Sequence, residues 1–223
     1  MDLILSSGFL AFARHCGFLR AVEEAELPIE AVIGTSSGAL IGSLWAAGIP
    51  AEDIARRVAE EPPWALMRWS WRPWAGLFAL DPALQRLAAW LPERIEDLPR
   101  PFAAGVMDHA RRPRLLCEGP LPAAVAASCA MPHVFVPVEV GGERFADGGA
   151  VDRVALEGWR TLRGERPVLV HLVERSAGPP SALPAGLAVV HTPRSRARFW
   201  DLGDVAGQLE EARQLAHAVI GAL

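Results

Sequence analysis

The residues best suited to chemistry are Gly34-Thr35-Ser36-Ser37-Gly38, a G-x-S-x-G pattern. Two glycines flank a serine on a sharp strand-to-helix turn, so that its hydroxyl projects at the strand's end as a nucleophile for acyl transfer. At this Gly and Ser content roughly 0.08 such patterns arise by chance in a chain of this length, so the surroundings must carry the reading. An apolar run, Ala31-Val32-Ile33, comes directly before the motif, and a small-residue helix over Ala39 to Ala47 follows it. The helix start at Ser37 brings a positive dipole end beside the reacting centre. Ser36 is the expected nucleophile.

A serine nucleophile needs a base. The order Ser36, Asp147, then His171, His191 or His217 formally suits a hydrolase triad. That fold, however, places several strands ahead of its nucleophile, and only about one strand-helix unit fits before Ser36. Each histidine, His109 and His133 included, therefore reads as a surface or hydrogen-bonded structural residue. Ala146-Asp147-Gly148-Gly149-Ala150 puts a carboxylate after a strand, with two glycines that let it approach another loop closely. On residue types alone a plain Asp-Gly turn fits that segment better.

The elements that must position these groups alternate. Leu3 to Leu5 and Ala31 to Ile33 are short apolar runs, and helices are expected over Gly17 to Ala25, Ala39 to Ala47 and Ala51 to Glu60. Strand, helix, strand, helix implies a parallel sheet, because parallel neighbours need a crossover connection. A further helix is expected over Asp81 to Leu91, with Asp81-Pro82 supplying an N-cap and a first-turn proline. Short strands follow over Phe102 to Val106, Arg114 to Cys117 and Val134 to Val140, with a helix from Ala123 to Cys129 and a turn at Gly141-Gly142. Val168 to Val173 and Leu187 to Val190 read as strands, Arg175 to Ala185 as a Pro/Gly/Ser loop, and Val205 to Ile220 as a terminal amphipathic helix. The class is α/β, a three-layer arrangement of a mainly parallel sheet flanked by helices. No repeat or linker divides the chain, so residues 1–223 are expected to form one domain.

Composition narrows the chemistry. Twenty-two basic residues against 26 acidic ones give a net charge of −4, no footprint for nucleic acid. Lys, Asn and Tyr are absent, which removes Schiff-base, Ser-Lys and Cys-His-Asn mechanisms. Cys16, Cys117 and Cys129 have no metal-ligand spacing and suggest reduced thiols, and no apolar stretch is long enough to span a bilayer. A cytoplasmic protein is expected. Arg111-Arg112-Pro113-Arg114 reads as a solvated turn. Trp64, Met67, Trp71 and Trp74 fall at helical spacing beside Pro62, Pro63 and Pro73, a pattern that favours core packing over a mobile cap or lipid-facing surface.

Three blocks in order resemble the patatin-like phospholipase family. Gly34 to Gly38 matches its nucleophile elbow, and Ala127-Ser128-Cys129-Ala130-Met131-Pro132, with Phe135 and Pro137, looks like its A-S-x-A-x-P block. Asp147-Gly148-Gly149 looks like its D-G-G segment. The likeness runs from about Leu3 to Val154, with Gly76-Leu77-Phe78 and Ile95 to Val106 similar in character. It implies a Ser36–Asp147 dyad without histidine, supported by Gly34, Gly38, Gly148 and Gly149, that hydrolyses lipid carboxylic esters, of phospholipid or lysophospholipid type, through an acyl-enzyme. It implies an oxyanion hole at Ser7, Gly8 and Phe9, and a need for glycine at position 8, where a side chain would push substrate away. No metal or organic cofactor is called for, because nucleophile, base and donors are all protein groups. Peripheral membrane contact would run through Trp64, Trp69, Trp71 and Trp74. Two departures stand out. The family's G-G-G-x-R/K-G loop is here Ser6-Ser7-Gly8-Phe9-Leu10-Ala11-Phe12, closer to the G-F-L form of triacylglycerol-lipase-type members, and Arg153 stands where many members have Asn. The eroded loop keeps open a catalytically silent lipid-binding member; an acyltransferase on the same fold is the other alternative, which Thr35, lacking the His of malonyl-transferase motifs, disfavours.

Overall fold

The computed structural model describes residues 1–175 and 183–223, so most of the loop expected over Arg175 to Ala185 lies outside the described residues. In chain order the elements are β1 (Asp2–Leu5), α1 (Phe12–Glu24), β2 (Ala31–Thr35), α2 (Ser37–Ala46), α3 (Ala51–Ala59), β3 (Arg68–Trp69), β4 (Phe78–Ala79) and α4 (Asp81–Trp90). They continue as β5 (Phe102–Met107), β6 (Pro113–Leu116), α5 (Leu121–Ser128), β7 (Val138–Val140), β8 (Glu143–Asp147), α6 (Leu156–Arg163), β9 (Val168–Val173), β10 (Ala188–Thr192) and α7 (Val205–Ile220).

An eight-stranded sheet runs in the order β10-β9-β1-β2-β5-β8-β7, with β6 also paired to β5. From β10 to β5 every neighbour is parallel, whereas β6, β8 and β7 join antiparallel. Side chains alternate across the strands, and the core is accordingly in two parts. Leu3, Leu5, Val32 and Ala104 pack with residues of α1, α2 and α5 on one face. Ile4, Ile33, Ala103 and Val170 pack with Leu156 and Trp159 of α6 on the other. Helix, sheet and helix make the three layers of the expected α/β class.

One detail of register decides where Ser36 and Asp147 meet. β2 pairs with β5 over Phe102 to Gly105, ending with Thr35 opposite Gly105. β6 pairs with Ala104 to Met107, and β8 pairs with Val106 and Met107. A strand residue has only two edges. β8 therefore takes over, at Val106, the same edge of β5 that β2 leaves at Gly105.

Three local expectations change. The strand expected over Val134 to Val140 is confined to Val138–Val140, while Phe135 bridges to Phe78. Leu80 occupies the N-cap of α4 and Asp81 is already inside the helix, ion-paired with Arg68. The tryptophan stretch is not a core helix: after a short 3-10 turn at Pro63–Leu66 it forms the β3–β4 hairpin, as Pro62, Pro63 and Pro73 interrupt helical bonding. Trp64, Trp69, Trp71 and Trp74 are 58%, 73%, 88% and 82% exposed, so core packing is wrong for these tryptophans, whereas Met67 does pack against the core. Among the described residues no helix is long and apolar enough to cross a membrane.

Candidate active site

Ser36 sits between the end of β2 and the first turn of α2 with φ 56° and ψ −122°. This is a strained conformation for a residue with a side chain, and it turns the hydroxyl out of the strand-to-helix junction. The glycines either side are required by contact. A Cβ on Gly34 would lie 2.2 Å from the Gly38 carbonyl oxygen, and one on Gly38 would lie 2.2 Å from that of Leu5. The turn is clamped from α5: the Ser36 N–H donates to Ser128 Oγ at 2.8 Å, and Ser128 Oγ donates to the Gly105 carbonyl at 2.6 Å. The Cys129 thiol, its pKa pushed up by burial, donates to the Ser36 carbonyl at 3.3 Å.

Asp147, the last residue of β8, pairs with Val106 one step beyond the end of β2. Its Oδ2 accepts the Ser36 hydroxyl at 2.7 Å and its Oδ1 accepts the Gly149 N–H at 2.7 Å. Gly148 and Gly149 permit the approach, since a Cβ on either would lie 2.6 Å from the Gly105 carbonyl oxygen or from Ser7 Oγ respectively. Burial pushes the Asp147 carboxyl up to about 6, against the opposing effects of the Ser36 hydroxyl, the Gly149 N–H and the Arg153 charge. A carboxylate with that affinity accepts a proton readily while staying mostly ionised at neutral pH.

Of the three expected oxyanion residues, Ser7 needs correction: its N–H donates to the Arg153 carbonyl at 2.9 Å and is committed to the fold. The N–H groups of Gly8 and Phe9 make no hydrogen bond among the described residues, and both residues line the cavity beside Ser36. The reason expected for Gly8 also changes, because its missing Cβ would meet Ala11 at 2.8 Å and Val173 at 3.1 Å rather than the substrate space. The loop lacks the family's basic residue and is held instead by Arg153, whose guanidinium donates to Ser7 Oγ at 3.1 Å, to the Ser7 carbonyl at 2.5 Å and to the Val173 carbonyl at 2.8 Å.

Ser36 opens into an apolar cavity of about 130 Å³ walled by Leu40, Leu66, Leu80, Leu87, Met131 and Phe135. Arg57, Glu60, Glu61 and Arg86 also line it, the last two ion-paired. None of the histidines hydrogen-bonds Ser36 among the described residues, in keeping with their reading as surface or structural residues: His109, His133 and His191 are exposed, His217 pairs with Glu24, and His171 is fully buried against His15 and Thr192. Among the described residues no cluster of His, Cys, Asp or Glu could hold a metal ion.

Residues 3–158 match the model of the patatin-like phospholipase family. The chain belongs to the patatin-like phospholipase family. Relatives include an uncharacterised NTE family protein of Mycobacterium bovis and one of Mycobacterium tuberculosis, each 31% identical over 191 residues, 79% of this chain and 50% of theirs. The chain thus spans about half the length of these curated relatives. A Drosophila persimilis neuropathy target esterase is 47% identical over 45 residues, 20% of this chain and 3% of its own. Among solved structures, VipD from Legionella pneumophila superposes with a TM-score of 0.62 at 13% identity, over 99% of this chain and 66% of its own. The type III effector ExoU follows with 0.51 at 14% identity, over 99% and 53%. Both share the fold.

The family's A-S-x-A-x-P block acquires a task here that its letters alone did not disclose, since Ser128 holds the backbone of Ser36. Arg153 was visible only as a departure from pattern, and its brace on the loop depends on β9, which sequence spacing does not reveal.

Proposed function

We propose that this chain is a serine acyl hydrolase that cleaves carboxylic esters of lipids, phospholipid or lysophospholipid, through a Ser36–Asp147 dyad, residues 1–223 working as one unit. The observation that carries the reading is the 2.7 Å hydrogen bond from Ser36 Oγ to a buried carboxylate, with the strained serine facing an apolar cavity. Asp147 takes the hydroxyl proton as Ser36 Oγ bonds to the ester carbonyl carbon, and the carbonyl oxygen becomes an oxyanion. The N–H groups of Gly8 and Phe9, with that of Ser37 at the start of α2, are the donors available to it. Collapse expels the alcohol with the proton from Asp147, leaving the acyl chain on Ser36. Water then attacks that ester with Asp147 again as base and frees the acid.

Trp64, Trp69, Trp71 and Trp74, joined by Trp200 at 67% exposure, supply peripheral membrane contact for a protein of the cytoplasm. The reasons are that tryptophan suits the membrane–water interface, and that Phe199 and Met67, neighbours of this group in sequence, line the cavity. Labelling with a fluorophosphonate tests the reading. The wild type should be modified at Ser36 and hydrolyse a phospholipid panel, and Ser36→Ala should do neither. A wild type that is folded yet unlabelled would return the catalytically silent lipid-binding alternative.

A further inference from the structure

A line of buried polar groups runs behind the nucleophile from one strand of the sheet to the oxyanion loop. Thr192 Oγ1 lies 3.0 Å from His171 Nε2, His171 Nδ1 lies 2.8 Å from His15 Nδ1, and His15 Nε2 lies 3.2 Å from Ser37 Oγ. Ser37 Oγ in turn lies 2.7 Å from the Gly8 carbonyl oxygen. All four side chains are buried, with 3% exposure or less. Burying so many polar atoms is tolerable only if each is satisfied.

The last contact fixes the direction of the others. A carbonyl oxygen can only accept, so the Ser37 hydroxyl spends its one proton on Gly8 and must accept from His15. His15 is then protonated on Nε2 and accepts on Nδ1. His171 is protonated on Nδ1 and accepts on Nε2 from the Thr192 hydroxyl. Run in reverse, the Ser37 and Gly8 oxygens would face one another at 2.7 Å with no proton between them. One assignment satisfies every group. Burial lowers His15 to about 3, against the Ser6 carbonyl, which favours protonation, and burial holds His171 well below its ordinary value. Both rings are therefore neutral, as a single-direction relay needs.

The relay ends on the peptide that matters for catalysis. No peptide bond among the described residues is cis, so in the Gly8–Phe9 peptide the N–H points opposite to the C=O. With the carbonyl drawn toward Ser37, the Phe9 N–H is turned away from the buried network. We infer that Ser37, held by His15, His171 and Thr192, is a positioning residue that sets the Phe9 N–H as an oxyanion donor. This rests on the acyl-hydrolase reading for its catalytic consequence, and on hydrogen-bond geometry alone for the relay. It also gives a job to a loop that has lost its glycines: a side-chain clamp holds one peptide where a run of glycines would let several approach.

The test has two arms. In the first, which needs no substrate, two-bond 1H–15N spectra of the wild type should report the Nε2–H form for His15 and the Nδ1–H form for His171. Ser37→Ala should then shift the Phe9 amide resonance. In the second, Ser37→Ala should lower kcat by tenfold or more, since losing an oxyanion donor outright costs about a hundredfold to a thousandfold. KM should stay within about twofold, and affinity for an alkyl trifluoromethyl ketone, a tetrahedral-adduct probe, should fall in step with kcat. Ser37→Thr, which keeps the hydroxyl, should restore most of both, which separates positioning from mere loss of stability. An Nδ1–H tautomer for His15, or a folded Ser37→Ala protein with wild-type kcat and ketone affinity, overturns the proposal. Should the wild type itself neither turn over esters nor bind the ketone, the hydrolase reading falls. The spectra then decide the relay separately: the expected tautomers with a shifted Phe9 amide uphold it, and any other tautomers or an unmoved amide overturn it.

Discussion

Replacing Asp147 with asparagine should make the stability of the fold less dependent on pH while it disables the chemistry. The carboxyl has a value of about 6 in the fold against 3.8 ordinarily, with burial as the largest cause. A group raised in this way favours the folded state while it is protonated. Its contribution is complete below about pH 3.8 and is withdrawn as the pH climbs through about 6. Each tenfold difference in proton affinity is worth about 1.4 kcal/mol, so by about pH 7.5 the wild type carries a penalty of about 3 kcal/mol that it lacks at low pH. Asp147 is only 5% exposed, which leaves little solvent screening to discount. The asparagine does not titrate, and all other groups are common to both proteins. The stability difference should therefore swing by about 3 kcal/mol toward the variant between about pH 3.5 and about pH 7.5, or about 6 to 12 °C in melting temperature for a chain of this size. Urea titrations of both proteins across that range measure the swing directly. Turnover of the variant should meanwhile fall on the order of a thousandfold, as loss of a general base does. A difference that stays constant to within about 1 kcal/mol over the whole range would refute the reasoning, because Asp147 would then titrate as an ordinary exposed carboxylate.

The same carboxyl must be ionised to work, so kcat/KM should follow an acid limb with its midpoint at about pH 6, falling to about a tenth by pH 5; a flat profile to pH 4.5 would exclude Asp147 as the base. Trp71→Ala with Trp74→Ala should reduce partitioning onto phosphatidylcholine vesicles by about tenfold in a sedimentation assay, with hydrolysis of a soluble short-chain ester unchanged. Leu87→Trp fills part of the cavity and should depress hydrolysis of long-chain esters more than tenfold while a butyrate-length ester loses no more than about threefold. His191→Ala and His217→Ala, far from Ser36 in bonding terms, should keep wild-type turnover, and abolition by either would restore a histidine triad.

The alternation of apolar runs and helices made the parallel part of the sheet legible, and β9 and α7 fall at their expected bounds, because periodicity follows directly from which face is buried. The beginning of α1 was not. Gly17 reads as a helix start, yet the helix begins at Phe12 and Gly17 lies inside it, where a Cβ would stand 2.0 Å from the Leu209 carbonyl oxygen of α7. A glycine needed for contact between two helices is indistinguishable, in one sequence, from a glycine that ends one. The tryptophans misled for a related reason: helical spacing over Trp64 to Trp74 is an accident of a hairpin whose backbone docks against Phe135 through Gly76, a contact between distant segments. At the site, Ser36 and Asp147 were visible as motifs, whereas the contacts around them from Ser128, Arg153 and Ser37 with His15 depend on tertiary proximity.

On the dyad reading, the shared edge of β5 makes catalytic competence a report of strand register. Ser36 leaves the sheet where β2 stops and Asp147 enters it one residue further along the same edge, so a single strand serves as the ruler for groups 111 residues apart. Adjacent residues of a strand point to opposite faces, and a slip of β8 by one position would present Ala146 or Gly148 to the nucleophile and turn the carboxylate to the far side. On the dyad reading, Ser36 has its proposed base only once the β7–β8 hairpin has paired with β5 and brought Asp147 to it.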